Sequence, residues 1–293
     1  MRKEVNGVPL YYKLYPQAGA GRPWLVLIHA LGMDSESWRE QVGPLGAVYN
    51  LITYDVRGSG RSSWLPLNDS PADTGSGGGQ LSFDLLASDL RGLLEVTGHP
   101  DAGLIGWAMG GMVAIAYAAS YQPPALILAD SAAAYPAESN TVLNKRADEI
   151  LAGGDRWLAA TEAQVNRWIS TAGQQRKPRL AQTALDSLQG FDPPALAALM
   201  RVTGGVQLAD RLPRIGCPTL VLVGDEDVAA PPALAQQLVA GIAGAEFATI
   251  KQAGHLSPLE QPAQFNRLVL DFLARKLGLE GRTCCVPYLK HYG

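Results

Sequence analysis

Residues 105–111 read Ile-Gly-Trp-Ala-Met-Gly-Gly, IGWAMGG. The apolar run AGLIG (102–106) leads in and MVAIAYAAS (112–120) leads out. A short, near-continuous apolar run predicts a strand buried on both faces, and the run that follows is helix-like. Strand, glycine-framed turn and helix are the setting of a nucleophile elbow, G-x-S-x-G. Gly106 and Gly110 stand where that pattern needs them, but the central residue is Ala108, whose methyl group attacks nothing.

Further apolar runs flank this one: WLVLIH (24–29), YNLITYD (49–55), ALILAD (125–130), TLVLVGD (219–225) and EFATIK (246–251). Helical patterns lie between several of them, at 81–96, 231–242 and 262–277. Strands alternating with helices predict a doubly wound α/β fold with a mostly parallel central sheet. Asn6-Gly7 between apolar and aromatic residues adds a hairpin at the start. From 132 to 212 no strand pattern occurs, and helical stretches carry Trp157 and Trp168. That segment reads as a helical lid inserted into a core formed by 1–131 and 213–280, followed by a tail at 281–293. The stretch 69–80, DSPADTGSGGGQ, has a flexible-loop composition and lacks the G-K-[ST] of a phosphate cradle.

The 293 residues suffice for a large core, and a net charge of −3 gives no bulk preference for nucleic acid or anionic membrane. No apolar run approaches the roughly 20 residues needed to span a bilayer. The first residues, MRKEVNGVPL, have no apolar signal region, which leaves the cytoplasm as the expected location. Cys217 reads as a core residue; Cys284 and Cys285 are adjacent and form no C-x-x-C or Cys/His ligand set. Neither a metal nor an organic cofactor is expected, and oligomeric state is not legible.

Acyl transfer by a serine needs a nucleophile, a base, an acid that orients the base, and oxyanion donors. On an open parallel sheet these belong at the carboxyl ends of strands. Ala108 holds the nucleophile position; Asp225 and Asp227 in LVGDEDVAAPP are candidate acids; His255 in AGHLSPLEQP is the candidate base. They occur in the chain order nucleophile, acid, histidine. His29 ends a strand and reads as support for the loop after it, whereas His99 and His291 read as solvated.

The segments LIHALGMDSESW, YDVRGSGRS, GWAMGGMVA, LVGDEDVAAPP and AGHLSPLEQP, in this order, resemble the α/β-hydrolase superfamily up to about Leu277. Within it, "LG" after the first buried strand and AGHLSPLEQP most resemble β-ketoadipate enol-lactonases and related carboxylesterases and lactonases. The resemblance implies Asp227 rather than Asp225 as acid, since the family acid comes three residues after the strand-end glycine, here Gly224. It also implies an oxyanion hole built from the backbone N–H groups of Leu31 and Met109. Asp130, a second acid position in some relatives, is expected to make structural bonds instead. Trp38, Trp107, Trp157, Trp168 and His29 are the candidate pocket residues. YDVRGSGRS is expected to be architectural, a loop tied by an Arg–carboxylate pair.

The implied substrate is a small ester or lactone, and an insert rich in Ala and Leu leans towards an uncharged, apolar acyl group. Ala108 itself admits several readings. It is a serine replaced deliberately, the mark of a natural ligand-binding relative, or part of a different chemistry. The joint presence of every other part favours the first. Hydrolysis of a carbon–carbon bond in a dienoic acid is the alternative reaction.

Overall fold

The computed structural model describes residues 1–17, 21–64 and 81–278. The glycine-rich stretch 69–80 and the tail 281–293, with Cys284, Cys285 and His291, lie outside the described residues.

In chain order the described elements are β1 (Arg2–Val5), β2 (Val8–Tyr15), β3 (Trp24–Ile28), α1 (Arg39–Gly46), β4 (Asn50–Tyr54), α2 (Phe83–Thr97), β5 (Gly103–Trp107), α3 (Met109–Tyr121) and β6 (Leu126–Ala129). They continue with α4 (Ala137–Ala152), α5 (Gly154–Trp168), α6 (Thr171–Arg176), α7 (Leu180–Gln189), α8 (Pro193–Gly204), β7 (Thr219–Gly224), α9 (Pro232–Gly241), β8 (Glu246–Ile250), α10 (Ser257–Glu260) and α11 (Pro262–Lys276). The strands form one sheet in the order β1-β2-β4-β3-β5-β6-β7-β8. β2 runs antiparallel to β1 and β4, and every neighbour pair from β4 to β8 is parallel.

Each apolar run of the sequence becomes a strand. β3 to β7 are almost wholly buried, as sheet strands covered on both faces must be. β8 differs: it is the edge strand, and Phe247 is 40% exposed there. The hairpin turn places Asn6 at φ 48° and Gly7 at φ 74°, the positive angles a two-residue turn of right-twisted strands requires. α2 starts where the Ser82 side chain accepts from the Leu85 N–H and stops at Gly98, which takes φ 80°. Its buried face carries Leu86, Leu90, Leu93 and Leu94.

The turn from β5 into α3 works only with glycine at two points. A Cβ on Gly106 would lie 2.5 Å from the Gly110 carbonyl oxygen, and one on Gly110 would lie 2.2 Å from the Ile28 carbonyl oxygen. Their absence lets the helix start pack directly on β3 and β5. Because the strands are parallel, the ends of β3, β5, β6, β7 and β8 all face one edge, and their loops converge there. The insert between β6 and β7 carries α4 to α8.

The YDVRGSGRS loop is tied as an architectural element. Arg57 donates two hydrogen bonds, of 2.7 Å each, to the Asp89 carboxylate on α2, and both side chains are buried. Asp55 accepts from the Ser35 and Arg61 N–H groups at 2.8 and 2.7 Å. Asp89→Ala would strand the buried guanidinium. The expected loss of unfolding free energy in chemical denaturation is about 3–5 kcal/mol.

Candidate active site

Ala108 stands between β5 and α3 with φ 50° and ψ −113°. A non-glycine residue in such a conformation costs on the order of 1–3 kcal/mol. The turn lifts its Cβ off the end of the sheet and into a cavity of about 210 Å³. Leu31, Met109 and His255 line the same cavity.

His255 follows β8, and its Nδ1 lies 2.8 Å from Oδ2 of Asp227, in the turn after β7. The other oxygen, Oδ1, accepts from the N–H groups of Ala229 and Ala230 at 2.8 and 2.9 Å. These bonds fix the carboxylate as an acceptor, so Nδ1 carries the proton and Nε2 keeps its lone pair. Both side chains are buried. Burial by itself disfavours imidazolium. The charge and hydrogen bond of Asp227, with the charges of Asp130 and Glu260, outweigh it and raise the pKa of His255 above 6.5. Asp225 instead lies 3.6 Å from Lys251.

Met109 opens α3, so its N–H has no intrahelical acceptor. Leu31 lies in the turn after β3. Among the described residues neither N–H donates to a backbone carbonyl. The Leu31 turn is anchored from the insert, where the Ser187 hydroxyl donates to the Gly32 carbonyl oxygen at 2.9 Å.

A family model described as the Alpha/beta hydrolase family matches residues 25–268. The chain belongs to the alpha/beta hydrolase family. It is similar to 3-oxoadipate enol-lactonase 1 of Acinetobacter baylyi, with 27% identity over 254 residues, 86% of this chain and 88% of that protein. It is also similar to the 2-hydroxy-6-oxononadienedioate/2-hydroxy-6-oxononatrienedioate hydrolase of Paraburkholderia phymatum, 30% identical over 273 residues, 89% of this chain and 90% of that one. Among solved structures, the enol-lactonase from Burkholderia xenovorans LB400 superposes with a TM-score of 0.83 at 28% identity, covering 94% of this chain and 100% of that chain.

In this alpha/beta hydrolase several residues expected at the pocket lie elsewhere. Trp38 and Trp107 are fully buried, packed edge to face with ring centroids 5.8 Å apart, and neither lines the cavity. Trp107 does reach the site indirectly: its Nε1–H donates to the His255 carbonyl oxygen at 2.9 Å, tying the histidine loop to β5. His29 is also buried and outside the cavity. Its Nε2 accepts from the Val56 N–H at 2.9 Å, so Nδ1–H donates to the Ala30 carbonyl oxygen at 2.8 Å. Burial holds His29 below the usual imidazole range, which suits a neutral tie between loops. Trp168 lines the cavity, with its ring 6.2 Å from that of His255, whereas Trp157 lines a smaller neighbouring pocket. The common cause is direction: a tryptophan sequence does not reveal which way its ring packs.

Two buried carboxylates brace the loops. Asp130, at the end of β6, accepts from the Gly224 N–H at 2.9 Å and the Ser257 hydroxyl at 2.6 Å. It thus ties the loop of Asp227 to the loop of His255. Burial, and then the charge of Asp227, push its pKa well above the carboxylate range. Glu260 accepts from the Gly254 N–H at 2.9 Å and from the Ser170 N–H and hydroxyl at 3.0 and 2.6 Å. It joins the histidine loop to the insert. Nothing in the pattern AGHLSPLEQP distinguishes this glutamate from a solvated one. Among the described residues no cluster of three or more His, Cys, Asp or Glu could hold a metal ion, and no helix is long and apolar enough to cross a membrane.

Proposed function

We propose that the chain has the machinery of a serine hydrolase of carboxylic esters or lactones, with alanine in place of the nucleophile. The observation that carries this reading is the His255–Asp227 pair at 2.8 Å, with His255 lining the same cavity as Ala108 and the two candidate oxyanion donors. In a chain with serine at that position, Nε2 of His255 would take the hydroxyl proton as oxygen attacks the carbonyl. Asp227 would hold the tautomer and stabilise the imidazolium. The N–H groups of Leu31 and Met109 would receive the oxyanion, which needs backbone donors and no particular side chain. His255 would then protonate the leaving alkoxide, and water would release the acyl group by the same base. From a lactone the product is a single hydroxy acid, or a keto acid where the leaving oxygen is enolic.

The alanine is read as a replaced serine. A protein that only held a ligand would need the cavity. It would need neither the strained elbow nor an acid–histidine pair. Hydrolysis of a dienoic acid at a carbon–carbon bond is a second reading, and the similarity to the dienedioate hydrolase supports it.

The test is turnover by the Ala108→Ser variant on a short p-nitrophenyl ester, a lactone panel and a dienoic acid, with and without His255→Ala. Gain on esters or lactones supports the first reading, gain on dienoic acids alone supports the second, and no gain on any substrate removes both. A pH profile adds a check. The base must be neutral, so kcat/KM of Ala108→Ser should fall as pH drops through the raised pKa of His255. The acid limb is therefore expected above 6.5, the ordinary imidazole value.

A further inference from the structure

His255 is gripped through the backbone on both sides. On its C-terminal side the His255 carbonyl oxygen accepts from Trp107 Nε1–H at 2.9 Å. The N–H of the same peptide unit, that of Leu256, donates to the Trp168 carbonyl oxygen at 3.2 Å. On its N-terminal side the Gly254 N–H donates to Oε1 of Glu260 at 2.9 Å. Oε2 of that carboxylate accepts from the Ser170 N–H and hydroxyl at 3.0 and 2.6 Å. The Ser170 hydroxyl oxygen in turn accepts from the Gly173 N–H at 2.8 Å, in the first turn of α6. One side chain, only 2% exposed, therefore holds the loop of the base with one oxygen and the insert with the other. The two segments meet backbone to backbone. A Cβ on Gly254 would lie 2.7 Å from the Trp168 carbonyl oxygen and 2.9 Å from the Ser170 nitrogen, and one on Gly173 would run into Oε2 of Glu260. The ring of Trp168, two residues before Ser170, forms cavity wall beside the imidazole.

Asp227 holds Nδ1 of the imidazole, so the direction of Nε2 depends on where the Cα of His255 stands. The peptide units on either side set that place. A bond from an N–H to a carboxylate is charge-assisted, roughly twice as strong as a neutral one. Resting on the hydrolase reading above, we propose that Glu260 is a positioning residue of the reaction. Through Gly254 it sets the place of His255, and through Ser170 it makes that place depend on the insert. Glu260 does not line the cavity, so it acts through the histidine and not on substrate. Its charge bears on the base as well. Asp227, Asp130 and Glu260 are the carboxylates acting on the imidazole, and Arg176 is the cation acting on Glu260. Across the cavity the insert adds Arg146, Arg167 and Glu138. Loss of the Glu260 charge removes one of the three groups that favour imidazolium.

The test uses Glu260→Gln in the Ala108→Ser background. Glutamine keeps the length of the side chain but has one acceptor oxygen, so one of the two segments is released. kcat should fall about 10- to 100-fold, the scale of a base misplaced by up to ~1 Å, with KM changed much less. The acid limb of kcat/KM should move to lower pH, which a merely structural bond would not cause. Titration with an alkyl fluorophosphonate counts the competent sites, so kcat is taken per site and partial unfolding does not imitate the effect. Ser170→Ala removes one of the three bonds and no charge; it should lower kcat a few-fold and leave the acid limb in place. If circular dichroism shows Glu260→Gln unfolded, Ser170→Ala carries the test, and an unchanged kcat there overturns the proposal. So does an unchanged kcat per site in folded Glu260→Gln, or a fall with the acid limb unmoved. The hydrolase reading fails separately, if Ala108→Ser turns over no substrate. The placement is then read in the existing chain, where the His255 Nδ1 proton held by Asp227 gives a far-downfield NMR signal. Glu260→Gln should shift or broaden that signal, and an identical signal would overturn the role of Glu260.

Discussion

Ala108→Ser is expected to raise turnover of a short ester or lactone by about a millionfold, the usual scale for a triad nucleophile. The expectation follows from how little the substitution must change. The elbow already holds a non-glycine side chain at φ 50°, so a hydroxyl adds one atom without altering the backbone. His255 and Asp227 already share their 2.8 Å bond, and no loop has to move to make it. KM should change much less than kcat, because the cavity keeps its shape. His255→Ala in the same background should abolish the gain, and stopped-flow or steady-state kinetics on a p-nitrophenyl ester would read both.

The second large effect concerns Asp227. In the Ala108→Ser background, Asp227→Asn should lower kcat about ten-thousandfold with geometry preserved. The reason is the tautomer. Ala229 and Ala230 donate to Oδ1, so an asparagine would keep its oxygen there and turn its NH₂ towards Nδ1 of His255. Nδ1 would then accept, the proton would move to Nε2, and Nε2 could no longer act as base. A loss of only a few-fold would mean that another group orients the histidine, Asp130 being a candidate because its charge also acts on His255.

Much of this arrangement is legible in the sequence because it depends on backbone and order. Gly106 and Gly110 announce a turn in which two carbonyl oxygens leave no room for a Cβ. Asp227 and His255 fall after apolar strands, and parallel strands bring their ends together whatever lies between. Of the two aspartates after β7, Asp227 lies 2.8 Å from His255 and Asp225 lies 3.6 Å from Lys251. What stays hidden depends on side-chain direction. Trp38 and Trp107 look like pocket aromatics and are core, and His29, legible as a loop support and also a candidate for the pocket, lies outside the cavity. Asp130 reads as a structural acid, but the loops it ties are seen only in its partners, and Glu260 is an acidic letter that reads as solvated until its burial and partners are known. Arg146 is the sharpest case. An arginine on an amphipathic helix normally faces water, and only the packing of α4 against its neighbours turns this one into the cavity.

Both braces span separate loops, Asp130 between the Asp227 and His255 turns and Glu260 between the His255 turn and the insert. Cavity, base and insert are thereby held as one unit.

The most direct test of the central claim is covalent capture at the elbow. A serine-directed alkyl fluorophosphonate would be incubated with the existing chain and with Ala108→Ser, and the adduct located by peptide mass spectrometry. The account predicts one adduct per chain at position 108 in the variant, none at that position in the existing chain, and loss of labelling with His255→Ala. An unlabelled variant, or labelling that ignores His255, would contradict it.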